Sequence, residues 1–284
     1  MDLRSPEGFH MLNADAPWDA FDPDAYFDHN YRDVLAADAE IVELVGRHFC
    51  DHFRVNFNRP VLGIDVGAGA NLYPALSMLP WCSKITLLER SPKNVAYLKR
   101  QQPHFDLEWD RFWKLLCDED EAYGRIGADR RVRFRKAVRV READLFGLED
   151  RNPLGLRPHQ GRYRIGTMFF VAESLSSSHE EFRRAVECFM RALAPGAPFA
   201  AAFMEGSKGY HVGDRFFPAC DVNDLQVAEI IDEFAENVKY HRLGEVRPGH
   251  TGIILALGHR KSNSTAPARS TFSRWLNRVF RQRF

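Results

Sequence analysis

Short apolar runs alternate with amphipathic stretches along most of this 284-residue chain. Val61-Leu-Gly-Ile-Asp65-Val reads as a strand over roughly 60–66, and it opens into the glycine turn Gly67-Ala-Gly69. A helix candidate over 72–79 follows, then a second apolar strand over 84–89 that ends in Glu89. Upstream, the pattern predicts a helix over 33–52. Downstream, Ser91 caps a helix that tolerates Pro92 in its first turn. Residues 109–122 read as another helix, and 139–145 alternate as a third strand ending in Asp144. Then come a buried strand (165–171), a helix (179–193), a strand (199–204) and a helix (221–234), with 238–243 and 252–257 as a closing strand pair. This order predicts an α/β fold, a Rossmann-like, mostly parallel sheet flanked by helices, with the terminal hairpin supplying an antiparallel last strand at the sheet edge.

The same pattern divides the chain. Residues 1–20 are polar and proline-punctuated and read as a flexible arm. Residues 21–260 form one domain, whose N-terminal part (21–55) is a helical lid. Residues 261–270 are a Ser/Ala/Pro-rich linker. In 271–284, Phe272, Trp275, Leu276, Val279 and Phe280 recur at helical spacing with arginines mostly opposite. That is a basic amphipathic helix, suited to an anionic membrane surface, to a partner protein or to the chain's own domain. Formal net charge is zero, so there is no bulk electrostatic case for nucleic acid. Five scattered cysteines without CxxC spacing argue against a disulfide framework or zinc site and point to a reducing cytoplasm. The histidines show no ligand spacing, and no metal is assigned.

Strand, glycine turn, helix, strand and terminal acid make up the first βαβ unit of a nucleotide-binding domain. The acid is placed to hydrogen-bond both ribose hydroxyls. Glycine is needed at 67 and 69 because a side chain there would meet the ligand or demand a forbidden backbone conformation. A dinucleotide fingerprint would carry a third glycine at position 72, where Leu72 stands. The pattern therefore fits a nucleoside without a diphosphate, and S-adenosylmethionine is the obvious ligand.

These segments resemble class I S-adenosylmethionine-dependent methyltransferases. More narrowly, the chain is similar to the branch of nicotinamide, phenylethanolamine and indolethylamine N-methyltransferases. The resemblance rests on Phe21-Asp-Pro-x-x-Tyr26, on Ile64-Asp-Val-Gly-Ala-Gly69 with Tyr73, on Glu89-x-Ser91-x-x-Asn94, and on Trp109 with Cys117-Asp118. It implies that Tyr26 and Tyr31 belong to a lid over cofactor and substrate. Gly67, Gly69 and Tyr73 would line the methionine end, with Asp65 beside them. Glu89 would hold the ribose where the family usually has aspartate, Asn94 would lie by the adenosine, and Asp144-Leu145 would hold the adenine edge. Glu173 and Glu205 would be the acids against the substrate, with Tyr26, Phe170 and Tyr210 on the substrate side. Asn30 departs from the family, which often has a tyrosine there.

The implied reaction moves a methyl group to a nitrogen of a small amine or N-heterocycle. C-, O- or S-methylation of a small, indole-type metabolite, or cofactor binding without catalysis, are the alternatives. Two acids past strand ends suit a basic nitrogen better than a phenol. On residues alone, Tyr26 and Tyr31 equally fit helix packing, and Asp144 and Glu173 equally fit capping roles.

Overall fold

The computed structural model describes residues 10–153, 155, 157–244 and 250–262. The basic amphipathic helix expected over 271–284 lies outside them. The described elements run α1 (Pro23–Asn30), α2 (Ala36–Asn56), β1 (Val61–Val66), α3 (Tyr73–Met78), β2 (Cys82–Glu89), α4 (Pro92–Gln101) and α5 (Trp109–Glu119). There follow α6 (Glu121–Gly124), α7 (Arg130–Ala137), β3 (Val138–Glu142), β4 (Ile165–Phe169), α8 (His179–Ala192) and β5 (Pro198–Glu205). The chain then forms β6 (Tyr210–Val212), β7 (Arg215–Phe217), α9 (Asp224–Phe234), β8 (Ala235–Leu243) and β9 (Gly252–Arg260).

Seven strands form one sheet in the order β3-β2-β1-β4-β5-β9-β8. Pairs β1–β2, β2–β3, β1–β4 and β4–β5 are parallel, and β9 is antiparallel to both of its neighbours. The last strand is antiparallel, as expected, but it is not at the edge. The crossover through α9 sets β8 one strand-width away from β5, and the returning β9 fills the gap between them. Central strands are apolar on both faces because helices cover both. Ala200, Ala202 and Met204 of β5 join one core with α2, α3 and α5, while Phe199, Ala201 and Phe203 join the other with α8 and α9.

Local chemistry sets the helix starts. Asp22 accepts from the N–H groups of Asp24 and Ala25 ahead of Pro23, Ser178 caps α8, and Asn223 with Gln226 forms a capping box on α9. The helix predicted over 109–122 breaks at Asp120, which turns extended and caps α6. Two elements were not anticipated: α7, which has almost no amphipathic pattern, and the short hairpin β6–β7. Among the described residues no helix is long and apolar enough to cross a membrane.

Candidate active site

The strand order reverses between β1 and β4, and a crevice opens at their carboxyl ends. There β1 runs into Gly67 and Gly69, both at positive φ (64° and 55°). A Cβ on Gly67 would sit 2.5 Å from a Val171 methyl, so glycine alone lets this turn press against the segment after β4. The turn is fastened to β2. Gly67 and Ala68 donate to the Leu88 carbonyl, and Gly69 N–H donates to Glu89 Oε2 at 2.8 Å. Glu89 Oε1 accepts from the N–H groups of Arg90 and Ser91 at 2.8 and 2.7 Å. Burial raises the Glu89 pKa, and those amide bonds oppose the rise. Three amides thus fix the carboxylate's orientation; they use both lone pairs of Oε1 and one of Oε2, which leaves Oε2 one acceptor position for a ligand hydroxyl.

A cleft open to solvent extends over this turn. Ten predicted residues line it: Tyr26, Tyr31, Gly67, Gly69, Glu89, Asn94, Asp144, Leu145, Phe170 and Tyr210. Asn94 Oδ1 is buried with no hydrogen-bond partner among the described residues. Asp144 caps the 3-10 turn Leu145–Glu149 through Phe146 N–H, and its other oxygen meets Arg90 at 2.7 Å. Part of the wall is aromatic. Trp18, Phe21, Tyr26 and Tyr210 line it, with Phe217 of β7 behind. Phe217 lies 5.1–5.6 Å, centroid to centroid, from Phe21, Trp18 and Tyr210. Asn71 donates to the Tyr31 hydroxyl at 3.2 Å and ties the lid to the glycine turn. Asn30 donates to the Tyr26 carbonyl inside α1 and is not among the residues that line the cleft.

Four predicted residues do not reach the wall. Asp65 is buried beneath the turn, where it accepts from the Thr167 hydroxyl at 2.7 Å, and burial pushes its pKa up to about 8. Tyr73 stacks on Phe112 at 5.3 Å in the core. Glu205 is a strand-end anchor. Its Oε2 accepts from Arg242 at 2.7 Å and Thr251 at 3.1 Å, which joins β5 to β8 and to the start of β9, away from the cleft. Glu173 stands behind the wall, between lining residues Val171 and Ser174. It is fully buried. Its Oε1 accepts from Met204 N–H at 2.9 Å, and Oε2 has no partner among the described residues. Burial pushes its pKa up to about 8, and the Met204 bond opposes that rise. The Tyr210 hydroxyl, itself pushed up by burial, feels the charges of Tyr26, Glu173 and Glu89.

Sequence reasoning missed Asn13, Trp18, Phe21 and the β6–β7 hairpin. Residues 10–20 are not a loose arm: Met11 pairs with Ser177, Trp18 closes a 3-10 turn, and Asn13 is 2 % exposed. The signal was present in the two aromatics among the prolines. Among the described residues no group of three His, Cys, Asp or Glu side chains could hold a metal ion.

The wall fits S-adenosylmethionine. It offers a close-approach turn, a fixed carboxylate and an unpartnered buried acceptor, and its lining cation, Arg90, is already ion-paired. A polyphosphate would lack partners there. The doubly wound sheet with an inserted antiparallel strand and this cleft define a class I S-adenosylmethionine-dependent methyltransferase. A sequence profile of the NNMT/PNMT/TEMT family matches residues 10–254, and the chain belongs to that family. It is therefore a methyltransferase whose cofactor is S-adenosylmethionine. No curated protein matches it in sequence.

Among solved structures it is similar to the N-methyltransferase NodS of Bradyrhizobium japonicum in complex with S-adenosyl-L-homocysteine. The two share 12% identity over 85% of this chain and 93% of that one, with a TM-score of 0.49. It is also similar to the 1,6-didemethyltoxoflavin-N1-methyltransferase of Burkholderia thailandensis (14% identity, 84% of each chain, TM-score 0.47). A predicted O-methyltransferase of Agrobacterium tumefaciens is comparable (16% identity, 81% and 83%, TM-score 0.44). Likeness at this level does not choose the methylated atom.

Proposed function

We propose that this enzyme methylates a nitrogen of a small amine or N-heterocycle seated at the aromatic end of the cleft. The observation that carries the reading is Glu173, a buried carboxyl with one unpartnered oxygen beside the cleft lining, whose charge the lining Tyr210 feels. Aromatic faces favour a cation or a flat ring, by about 0.5–2 kcal/mol per contact. An anionic acceptor would meet buried acids and no free lining cation.

When bound, S-adenosylmethionine supplies a methyl group already activated by a sulfonium. The chain's residues then bind, align and keep water out, and alignment alone is worth up to about 7–11 kcal/mol. Glu89 Oε2 would accept from a ribose hydroxyl, Asn94 Oδ1 would accept from the nucleoside, and Asp144 would take the adenine amine. Tyr26 and Tyr31 close the lid over the glycine turn. Only a free lone pair attacks, so an ammonium acceptor must lose a proton. A carboxyl whose proton affinity has been raised as far as that of Glu173 accepts that proton at less cost than a solvated carboxylate would.

Turnover against primary amines, pyridine-type heterocycles and indoles, read as S-adenosylhomocysteine formed, tests this. Nitrogen methylation of an amine or heterocycle is the expected result. Exclusive methylation of an indole carbon, a phenol or a thiol would overturn it. A carbon acceptor is the second reading, because a buried base beside aromatic rings also suits deprotonation of an indole N–H.

A further inference from the structure

Asn13 belongs to a stretch whose composition promised little order, yet every polar group it has is engaged. Its N–H donates to Glu181 Oε2 at 2.9 Å, and Trp18 Nε1 donates to both its carbonyl (3.0 Å) and its Oδ1 (3.1 Å). Its Nδ2 donates to Asp144 Oδ2 at 3.1 Å. The segment is pinned again two residues earlier, where Met11 and Ser177 exchange hydrogen bonds: Met11 N–H donates to the Ser177 hydroxyl and Ser177 N–H to the Met11 carbonyl, both at 3.0 Å. An asparagine held from four directions and 2 % exposed, on the wall of the cleft, is a built part of it.

Its effect falls on Asp144. That carboxylate has about four acceptor positions, and three donors reach it from three parts of the chain. Phe146 N–H takes Oδ1, while Arg90 Nη1 and Asn13 Nδ2 take Oδ2. The plane of the group is therefore fixed, and the remaining position is on Oδ1. A single hydrogen bond from the adjacent turn would leave the carboxylate free to rotate about its terminal torsion. Arg90 and Asn13 remove that freedom before any ligand arrives.

We propose that Asn13 is a positioning residue of the nucleoside site, orienting Asp144 to accept the exocyclic amine of adenine. This rests on the reading of Asp144 as the adenine contact. It also gives the N-terminal strap a task in cofactor selection, distinct from covering the acceptor.

The test is calorimetry on the full chain with two product analogues, S-adenosylhomocysteine and S-inosylhomocysteine, which carries a carbonyl in place of the amine. The wild type should prefer the first by about 10–100-fold, the range for a hydrogen bond to a charged group. In Asn13→Ala that preference should shrink by about threefold or more, with affinity for the inosyl analogue little changed. Trp18→Phe keeps the ring but removes the donor that holds Asn13, and it should move the preference the same way by less. Equal weakening of both ligands would overturn the proposal, since that is what a general roof over the site would do, and so would an unchanged preference in both variants. A wild type that does not discriminate would instead remove the adenine contact itself. A large drop in thermal midpoint for Asn13→Ala leaves Trp18→Phe to decide between these outcomes.

Discussion

The two ends of the cleft are built by opposite means. The proposed nucleoside end rests on backbone: one glycine turn, one carboxylate twenty residues later, and amides from the turn and from the two residues after the carboxylate. The proposed acceptor end is side chain: rings from positions 21, 26, 170 and 210 brought together by the N-terminal segment, the loop after β4 and a hairpin. The first tolerates almost no change of conformation, while the second can change its rings and keep its frame. A fold that serves one cofactor and many acceptors needs this division, since function sits on loops carried by a fixed scaffold.

If the division holds, substitutions at the first end should remove cofactor binding, and those at the second should spare it. Gly67→Ala has the largest expected effect. Its Cβ would collide with Val171 at 2.5 Å and its φ is +64°. Overpacking of this kind costs about 1–3 kcal/mol. The expected outcome is a lower thermal midpoint and no S-adenosylhomocysteine heat in calorimetry. Glu173→Gln comes next, with turnover falling by about 10²–10⁴-fold at unchanged cofactor affinity. Because activity uses the ionised form, wild-type kcat/KM should rise as pH passes about 8, and the variant should lose that limb. Stability gives an independent reading. The folded value of about 8 lies above the ordinary 4.5, so the contribution of Glu173 is complete below about 4.5 and is lost as pH rises through 8. The midpoint of Glu173→Gln should therefore gain on the wild type across that window. Glu89→Gln should weaken S-adenosylhomocysteine by about 10–100-fold, since a charged acceptor is lost and one amide N–H faces the new NH2. An acceptor KM that moved more than cofactor affinity would break the division.

The same contrast explains what the sequence made legible. The glycine turn and Glu89 lie on elements whose period is plain, so spacing pointed to them, while Asn94 and Asp144 came from the family resemblance. Glu205 was misjudged because its position past a strand end could not reveal Arg242, which the insertion of β9 brings to it from thirty-seven residues away. Asp65 and Tyr73 lie two residues from the lining residues Gly67 and Asn71 but are buried, the first on Thr167 beneath the turn and the second in the α3–α5 core. Trp18 was lost because the prolines and acids around it read as a loose arm, and Phe21 entered the family motif without a place on the cleft wall. Their order comes from Phe217, almost two hundred residues on, and no local pattern carries that. The antiparallel strand was found but set at the wrong place, since a hairpin's strands are equivalent until the crossover fixes which one reaches β5.

The smallest expected effect probes the acceptor end most directly. Tyr210 stacks on Phe217 with an interplanar angle of 23°, on a hairpin that packs against Trp18, Phe21 and Tyr26. Removing one such ring by Tyr210→Ala forfeits about 0.5–1.5 kcal/mol of aromatic contact, or roughly 2–10-fold in acceptor KM. Cofactor affinity should stay as it was, because none of the bonds that orient Glu89 involves the hairpin. Tyr210→Phe separates ring from hydroxyl. It keeps the stack, and it also removes the group that feels Glu173. If Tyr210→Phe restores KM but still lowers kcat, the hydroxyl assists proton movement toward Glu173. If it restores both, the ring is the whole contribution. A loss of cofactor affinity in either variant would mean that the two ends are coupled through the lid, and the separation of fixed frame from variable wall would have to be given up.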